Sequence, residues 1–219
     1  MRSIALLGLA LLSLGCNAPA HPPEPVSVVA SGLTAASSEA QAVAQAALDS
    51  FLERVPAGME QAYGFADRAQ IFRAIAGEPY AVLTWDPSGE VFAATSQWRV
   101  PVVSDGAMRA LLTVTQVSGR LQAVDFGAAG LAGELDRLEK ERGIAGQPAS
   151  RRLRRFLQLR ADVVALGGPT ELLQGSSIVP LASGRVALGL NGAQREWSLE
   201  ALSTAARARY RALPAAALR

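Results

Sequence analysis

The residues best suited to chemistry in this 219-residue chain are few: one cysteine, Cys16, one histidine, His21, some carboxylates at turns and a run of arginines. A single cysteine can form neither an intrachain disulfide nor a Cys-based metal cluster. His21 sits in the proline-rich stretch His21-Pro22-Pro23-Glu24-Pro25, so Ser–His–Asp and Cys–His catalysis lack a positioned imidazole. The chain contains no GxSxG, GxGxxG, Walker, HExxH or CxxC pattern. Asp86, Glu90, Asp105 and Asp125 fall near expected strand ends, where a paired-carboxylate hydrolase would draw on them. Turns want aspartate at the same places, for hydrogen bonding to their own backbone, and that is the preferred reading. The expectation is a non-catalytic protein without cofactor or metal.

The sharpest charged feature is Arg151-Arg152-Leu153-Arg154-Arg155, followed by Arg160. These five arginines are expected to form a surface for anionic lipid, lipopolysaccharide or an acidic protein, or else a solvated face balanced by the acidic stretch 134–141. The net charge of +2 is far below a nucleic-acid binder's excess, and no aromatics interleave with the arginines to stack bases. Nucleic acid is therefore excluded as a partner. Trp85, Trp98 and Trp197 are read as core or sheet packing, where their large apolar area rewards burial. Gly127, Gly130 and Gly133 are read as a close approach of a helix start to the sheet.

The elements that must position these residues are organised around residues 98–126. Three runs rich in Val, Leu and Thr are separated by Ser104-Asp105-Gly106 and Ser118-Gly119, which tolerate positive φ, so the stretch reads as a β-meander. Pro101 lacks an N–H, which predicts an edge strand or a bulge there. Ahead of the meander, a helix is expected from about Ser38 to Val55, with Ser37 or Ser38 as N-cap. A second is expected over 66–76, then strands over 80–85 and 90–94. After it, a helix over 128–142 presents Ala128, Leu131, Leu135 and Leu138 to the sheet and ends at Gly143. Residues 151–166 are ambiguous, and a helix or turn passing into a strand near Leu157 is favoured. A short strand at 178–181, a helical turn at 183–190 and a helix at 198–213 with Ser198 as N-cap complete the chain. Half of the residues are hydrophobic and 5% aromatic, which suits a packed core rather than disorder.

At the N-terminus, Met1-Arg2-Ser3 precedes an apolar run from Ile4 that is too short to span a bilayer as a mature helix. It ends in Leu12-Ser13-Leu14-Gly15-Cys16, which resembles the lipobox of bacterial lipoproteins, with Ser13 standing where the family prefers leucine. The resemblance covers only these sixteen residues. It implies cleavage after Gly15, lipidation of Cys16 and membrane attachment, with Asn17 rather than aspartate pointing to the outer membrane over the inner. Each buried acyl CH₂ contributes about 0.8 kcal/mol, so the lipid outweighs any basic patch as an anchor.

These readings define a signal peptide over 1–15, a flexible tether over 16–37 and one α+β domain over 38–219, with a candidate subdomain at 148–219. The expected domain is an antiparallel β-meander of four to five strands packed against helices, loosely like cystatin-like or NTF2-like folds in element order. The expected function is a non-catalytic envelope lipoprotein that binds another protein or a cell-surface component through its sheet or arginine face. The alternative is a small-molecule or lipid carrier with a pocket on a concave sheet.

Overall fold

The computed structural model of the chain describes residues 26–88, 91–144, 151–166 and 177–214. The signal peptide, Cys16, His21, Glu90 and the glycines at 167–168 lie outside the described residues. Five helices are described: α1 (Val26–Leu52), α2 (Arg68–Phe72), α3 (Ala129–Arg142), α4 (Ala182–Leu188) and α5 (Leu199–Arg211). Eight strands accompany them: β1 (Ile75–Ala76), β2 (Tyr80–Asp86), β3 (Val91–Ser104), β4 (Ala107–Val117), β5 (Arg120–Gly127), β6 (Arg151–Phe156), β7 (Ala161–Leu166) and β8 (Ser177–Pro180).

The fold is α+β, built on one open sheet ordered β5-β4-β3-β2-β6-β7-β8, with β1 also paired to β3. Every pairing is antiparallel except β2 with β6. Eight strands exceed the four or five expected. The excess comes largely from 151–180, where three strands extend the meander's sheet through the parallel β2–β6 pair.

The meander itself is as expected. Both hairpin turns place consecutive residues at positive φ, Asp105 with Gly106 and Ser118 with Gly119, which matches the twist of the strands they join. Residues 91–104 differ from expectation: in place of two short strands they form one continuous strand, β3. Its pairing with β2 shifts register between Ala81 and Leu83, and the Thr95 hydroxyl donates to the Val82 carbonyl at 2.7 Å in that gap. Pro101 is neither on an edge strand nor at the register shift. A residue's N and C=O point to the same neighbour, and the Pro101 carbonyl accepts from Gly77 N at 2.7 Å. Its missing N–H therefore faces the junction between β1 and β2, where no ladder bond is required.

Helix α1 begins at Val26, so Ser37 and Ser38 lie inside it and do not cap it. Its stripe of Ala40, Ala44, Leu48 and Leu52 is buried against Trp98, Val100, Val102, Leu112 and Val114. Gln41 and Gln45, one turn apart, hold the carbonyl and N–H of Ala76 at 3.1 and 2.8 Å and so close the outer edge of β1. The helix expected over 66–76 is shortened to α2, capped by Asp67, which accepts from Gln70 N at 2.9 Å. Ile71 is its buried residue, whereas Phe72 is 79% exposed beneath Arg68, and Ile75 has passed into β1.

The opposite face of the sheet carries α3. Leu135 and Leu138 pack with Ala132 on Tyr80, Val82, Leu111, Leu153 and Val164, as their spacing predicts. Gly143 caps the helix in the left-handed region. The close approach expected at Gly127, Gly130 and Gly133 is absent: a Cβ at any of them would meet nothing within 4 Å. The third cluster joins α5 to the far end of the sheet, with Leu202 and Ala206 against Phe156, Val163 and Ile178, and Ser198 capping Ala201 N at 3.1 Å. Trp85 and Trp98 are buried and Trp197 is packed at the edge of this third cluster, as expected for tryptophans that serve packing.

Candidate functional site

The five arginines do not form one face. Residues 151–156 are a strand, so successive side chains point to opposite sides of the sheet. Arg152 and Arg154 lie on the side of α1 and α5, where Arg154 is only 4% exposed and its guanidinium sits 5.1 Å from the centre of the Phe92 ring. Burial, and the neighbouring Arg152, pull the Arg154 guanidinium below the usual arginine range. Arg155 is on the α3 side. Arg160 occupies the left-handed position after the 3-10 turn Leu157–Leu159 and is exposed. The Arg151 side chain lies outside the described residues.

The strand pairs build a different arrangement, a polar row across the α3 face just past the helix's cover. On one side, Asp125, Thr113 and Arg99 stand opposite one another on β5, β4 and β3. On the other, Thr84, Arg155 and Asp162 do so on β2, β6 and β7. Arg155 Nε donates to Asp162 Oδ1 at 2.6 Å, with Nη2 at 3.4 Å from Oδ2. The Asp162 N–H in turn donates to the Ser183 hydroxyl at 3.1 Å, which ties the row to α4.

Arg99 is less well provided for. Its Nη1 donates to the Thr113 hydroxyl. Asp125 stands 3.9 Å away, beyond hydrogen-bond range, with its own side chain 70% exposed. The Arg99 side chain is only 12% exposed, and its Nε–H is buried without an acceptor among the described residues. Burial first, and repulsion from Arg155 second, pull its guanidinium below the usual arginine range, against the opposing pull of Asp125 and Asp162. A buried cationic donor left unmatched costs about 1–3 kcal/mol or more. Arg99 Nε itself is out of solvent reach, and an anion arriving from outside would meet the row at the exposed part of the Arg99 guanidinium and at Arg155, where it would offset the repulsion between the two cations.

Of the carboxylates singled out from the sequence, Asp86, Asp105 and Asp125 do not converge, and Glu90 lies outside the described residues. Asp86 accepts from Ser88 N at 2.8 Å within its own turn. Asp105 clamps Arg73 through two bonds of 2.8 and 2.9 Å and accepts from Gln70 at 3.1 Å. Asp125 faces Arg99. Arg99 and Thr113 were missed as site residues, because in an alternating strand an arginine between Trp98 and Val100 reads as the outward-facing position.

A separate cavity of about 230 Å³ opens between α3, β8, α4 and Arg195. Among the described residues no group of His, Cys, Asp and Glu is arranged to hold a metal, and no helix is long and apolar enough to cross a membrane. Compared with protein-family models, with curated proteins and with solved structures, the chain finds no match in any of the three.

Proposed function

We propose that this chain is a lipid-anchored protein of the bacterial cell envelope that works by binding rather than catalysis. In this reading the diacylated Cys16 holds it at the outer membrane, and the polar row receives an acidic side chain of another envelope protein. The anchor rests on the lipobox resemblance of residues 12–16. The binding role rests on one observation: the mostly buried Arg99 guanidinium, with no carboxylate within hydrogen-bond range among the described residues and with Arg155 repelling it from the same face. A partner carboxylate there would gain charge-assisted hydrogen bonds of about 1.5–3 kcal/mol each. The likeness of element order to cystatin-like domains, with α1 laid across the β3–β5 meander, belongs to the same reading. The carrier alternative stands second: the cavity between α3, β8 and α4, at about 230 Å³, is below the roughly 300–1,000 Å³ of ordinary ligand pockets and does not by itself favour it.

The test is a cross-linking pull-down from the native envelope, comparing wild type with Arg99→Met after thermal melts show both folded. A stoichiometric protein captured by wild type and lost in Arg99→Met supports the reading. Equal capture by both removes the row from it, and a co-purifying lipid or metabolite in place of a protein brings the carrier forward. For the anchor, Cys16→Ser is expected to move the protein from the membrane to the soluble fraction. Unchanged fractionation would refute lipidation at Cys16.

A further inference from the structure

The cavity beside α3 has a charge pattern of its own. Its floor is apolar, made by Leu138, Val179 and Leu181. Of its two carboxylates, Glu134 is committed: its Oε1 accepts the Ala182 N–H at 2.6 Å and so caps α4, which has no capping side chain of its own. Glu141 pairs loosely with Arg195, 3.5 Å apart, both at least half exposed. Among the arginines, Arg185 is committed to the carbonyls of Gly192 and Gln194 at 2.9 and 3.1 Å, which shapes the loop that carries Arg195. Arg142 is committed to Glu196. Arg137 lines the same cavity, is exposed, and has no ion-pair partner among the described residues.

Glu141 offsets Arg195, so the uncommitted charge at this cavity is that of Arg137, above an apolar floor and with the loose, exposed Arg195–Glu141 pair at the rim. We propose that it binds a small organic carboxylate, with the apolar body on Leu138 and Leu181 and the carboxylate between Arg137 and Arg195. The two arginines are presented by separate elements, α3 and the 189–197 loop, so a ligand bridging them also fixes that loop. The volume sets the class: at about 230 Å³ the cavity suits a ligand smaller than a drug-sized one. The site shares no residue with the polar row, so either proposal stands or falls without the other.

Benzoate is the probe, titrated into the isotope-labelled protein with backbone amides and leucine methyls followed by NMR. The expected result is saturable, millimolar binding with shifts centred on Leu138, Leu181 and Arg195, weakened roughly tenfold in Arg137→Ala. Benzyl alcohol, the same body without charge, is expected to bind at least about tenfold more weakly. Equal binding of the alcohol, equal binding by Arg137→Ala, or shifts centred on Arg99 and Arg155 would each overturn the proposal. Inorganic phosphate matching benzoate would also overturn it, because the floor would then contribute nothing. Arg137→Lys, which keeps the charge on an exposed side chain, separates lost binding from lost structure and is expected to retain part of the affinity.

Discussion

One face of one sheet behaves in two ways. Beneath α3, Tyr80, Val82, Leu111, Leu153 and Val164 form a largely apolar layer, with the Tyr80 hydroxyl donating to the buried Glu139 of the helix. Two residues further along β4, β6 and β7, the same face carries Thr113, Arg155 and Asp162, joined on β3 by Arg99. The alternation that sends these side chains to one face is identical in both regions. What differs is the cover: α3 crosses the strands from β4, where Asp136 accepts from Met108 N, to β8, where Leu138 lies beside Val179 and Leu181, and the polar row lies further along the strands, to one side of it. The apolar region gains from exclusion of water, and the polar region must satisfy each charge locally, as Arg155 with Asp162 does and Arg99 does not.

The largest expected effect breaks the apolar region. Leu153 is fully buried under α3, so Leu153→Ala is expected to cost about 2–5 kcal/mol in urea denaturation, through lost transfer energy and the cavity left behind. A cost below about 1 kcal/mol would mean that α3 does not seal this face. Gly184→Ala comes next. A Cβ there would lie 2.4 Å from the Asp162 carbonyl oxygen, so α4 would be pushed off β7 at about 1–3 kcal/mol, measured the same way.

Within the polar region the two arginines are expected to part company. Asp162→Asn leaves Arg155 with a neutral partner and is expected to cost about 1–2 kcal/mol, less than a deeply buried pair because the Arg155 side chain is about a quarter exposed. Arg99→Met is expected to stay within about 1 kcal/mol of wild type or to rise above it, since it removes a mostly buried charge whose Nε lacks an acceptor and whose only bonded partner among the described residues is the neutral Thr113 hydroxyl. A loss as large as that of Leu153→Ala would make Arg99 a structural residue and sink the binding row.

The smallest effect is a pH effect. Hydrogen bonding to Arg73 holds the Asp105 carboxyl below the usual carboxylate range. A lowered folded-state pKa gives stability that is present above the unfolded value of about 3.9 and is lost as pH falls through the lower folded value. Both side chains are more than a third exposed, so solvent and salt screen the effect. Asp105→Asn, which tolerates the positive φ of this turn, is expected to lower the urea midpoint slightly near neutrality and to leave it unchanged at the acid extreme, so that the acid limb flattens. An unchanged acid limb would remove Asp105 from the account.

Much of the fold was legible where local physics decides. Asp105-Gly106 and Ser118-Gly119 mark the hairpins because few residues accept positive φ, and Leu135, Leu138 and Gly143 mark α3 by spacing and termination. Ser198 marks the start of α5 because its hydroxyl can serve the first free N–H groups. The site was legible only in part. Arg155 was named, yet as one of a cluster of five, and Arg99 was passed over because nothing local distinguishes it from a surface arginine.

By itself the sequence determined the two hairpin turns, the end of α3, the start of α5, the apolar faces of α1, α3 and α5 and the absence of a second cysteine or histidine, since each depends on one residue or on the spacing of a few. Only the tertiary structure decided that residues 151–156 form a strand. That segment has no β pattern strong enough to stand alone, and its place comes from parallel pairing with β2, about 70 residues earlier. The same pairing sends Arg152 and Arg154 to one side of the sheet and Arg155 to the other. It also brings Arg155 to the face that carries Arg99, because cross-strand register is a property of chains in contact and not of either chain alone.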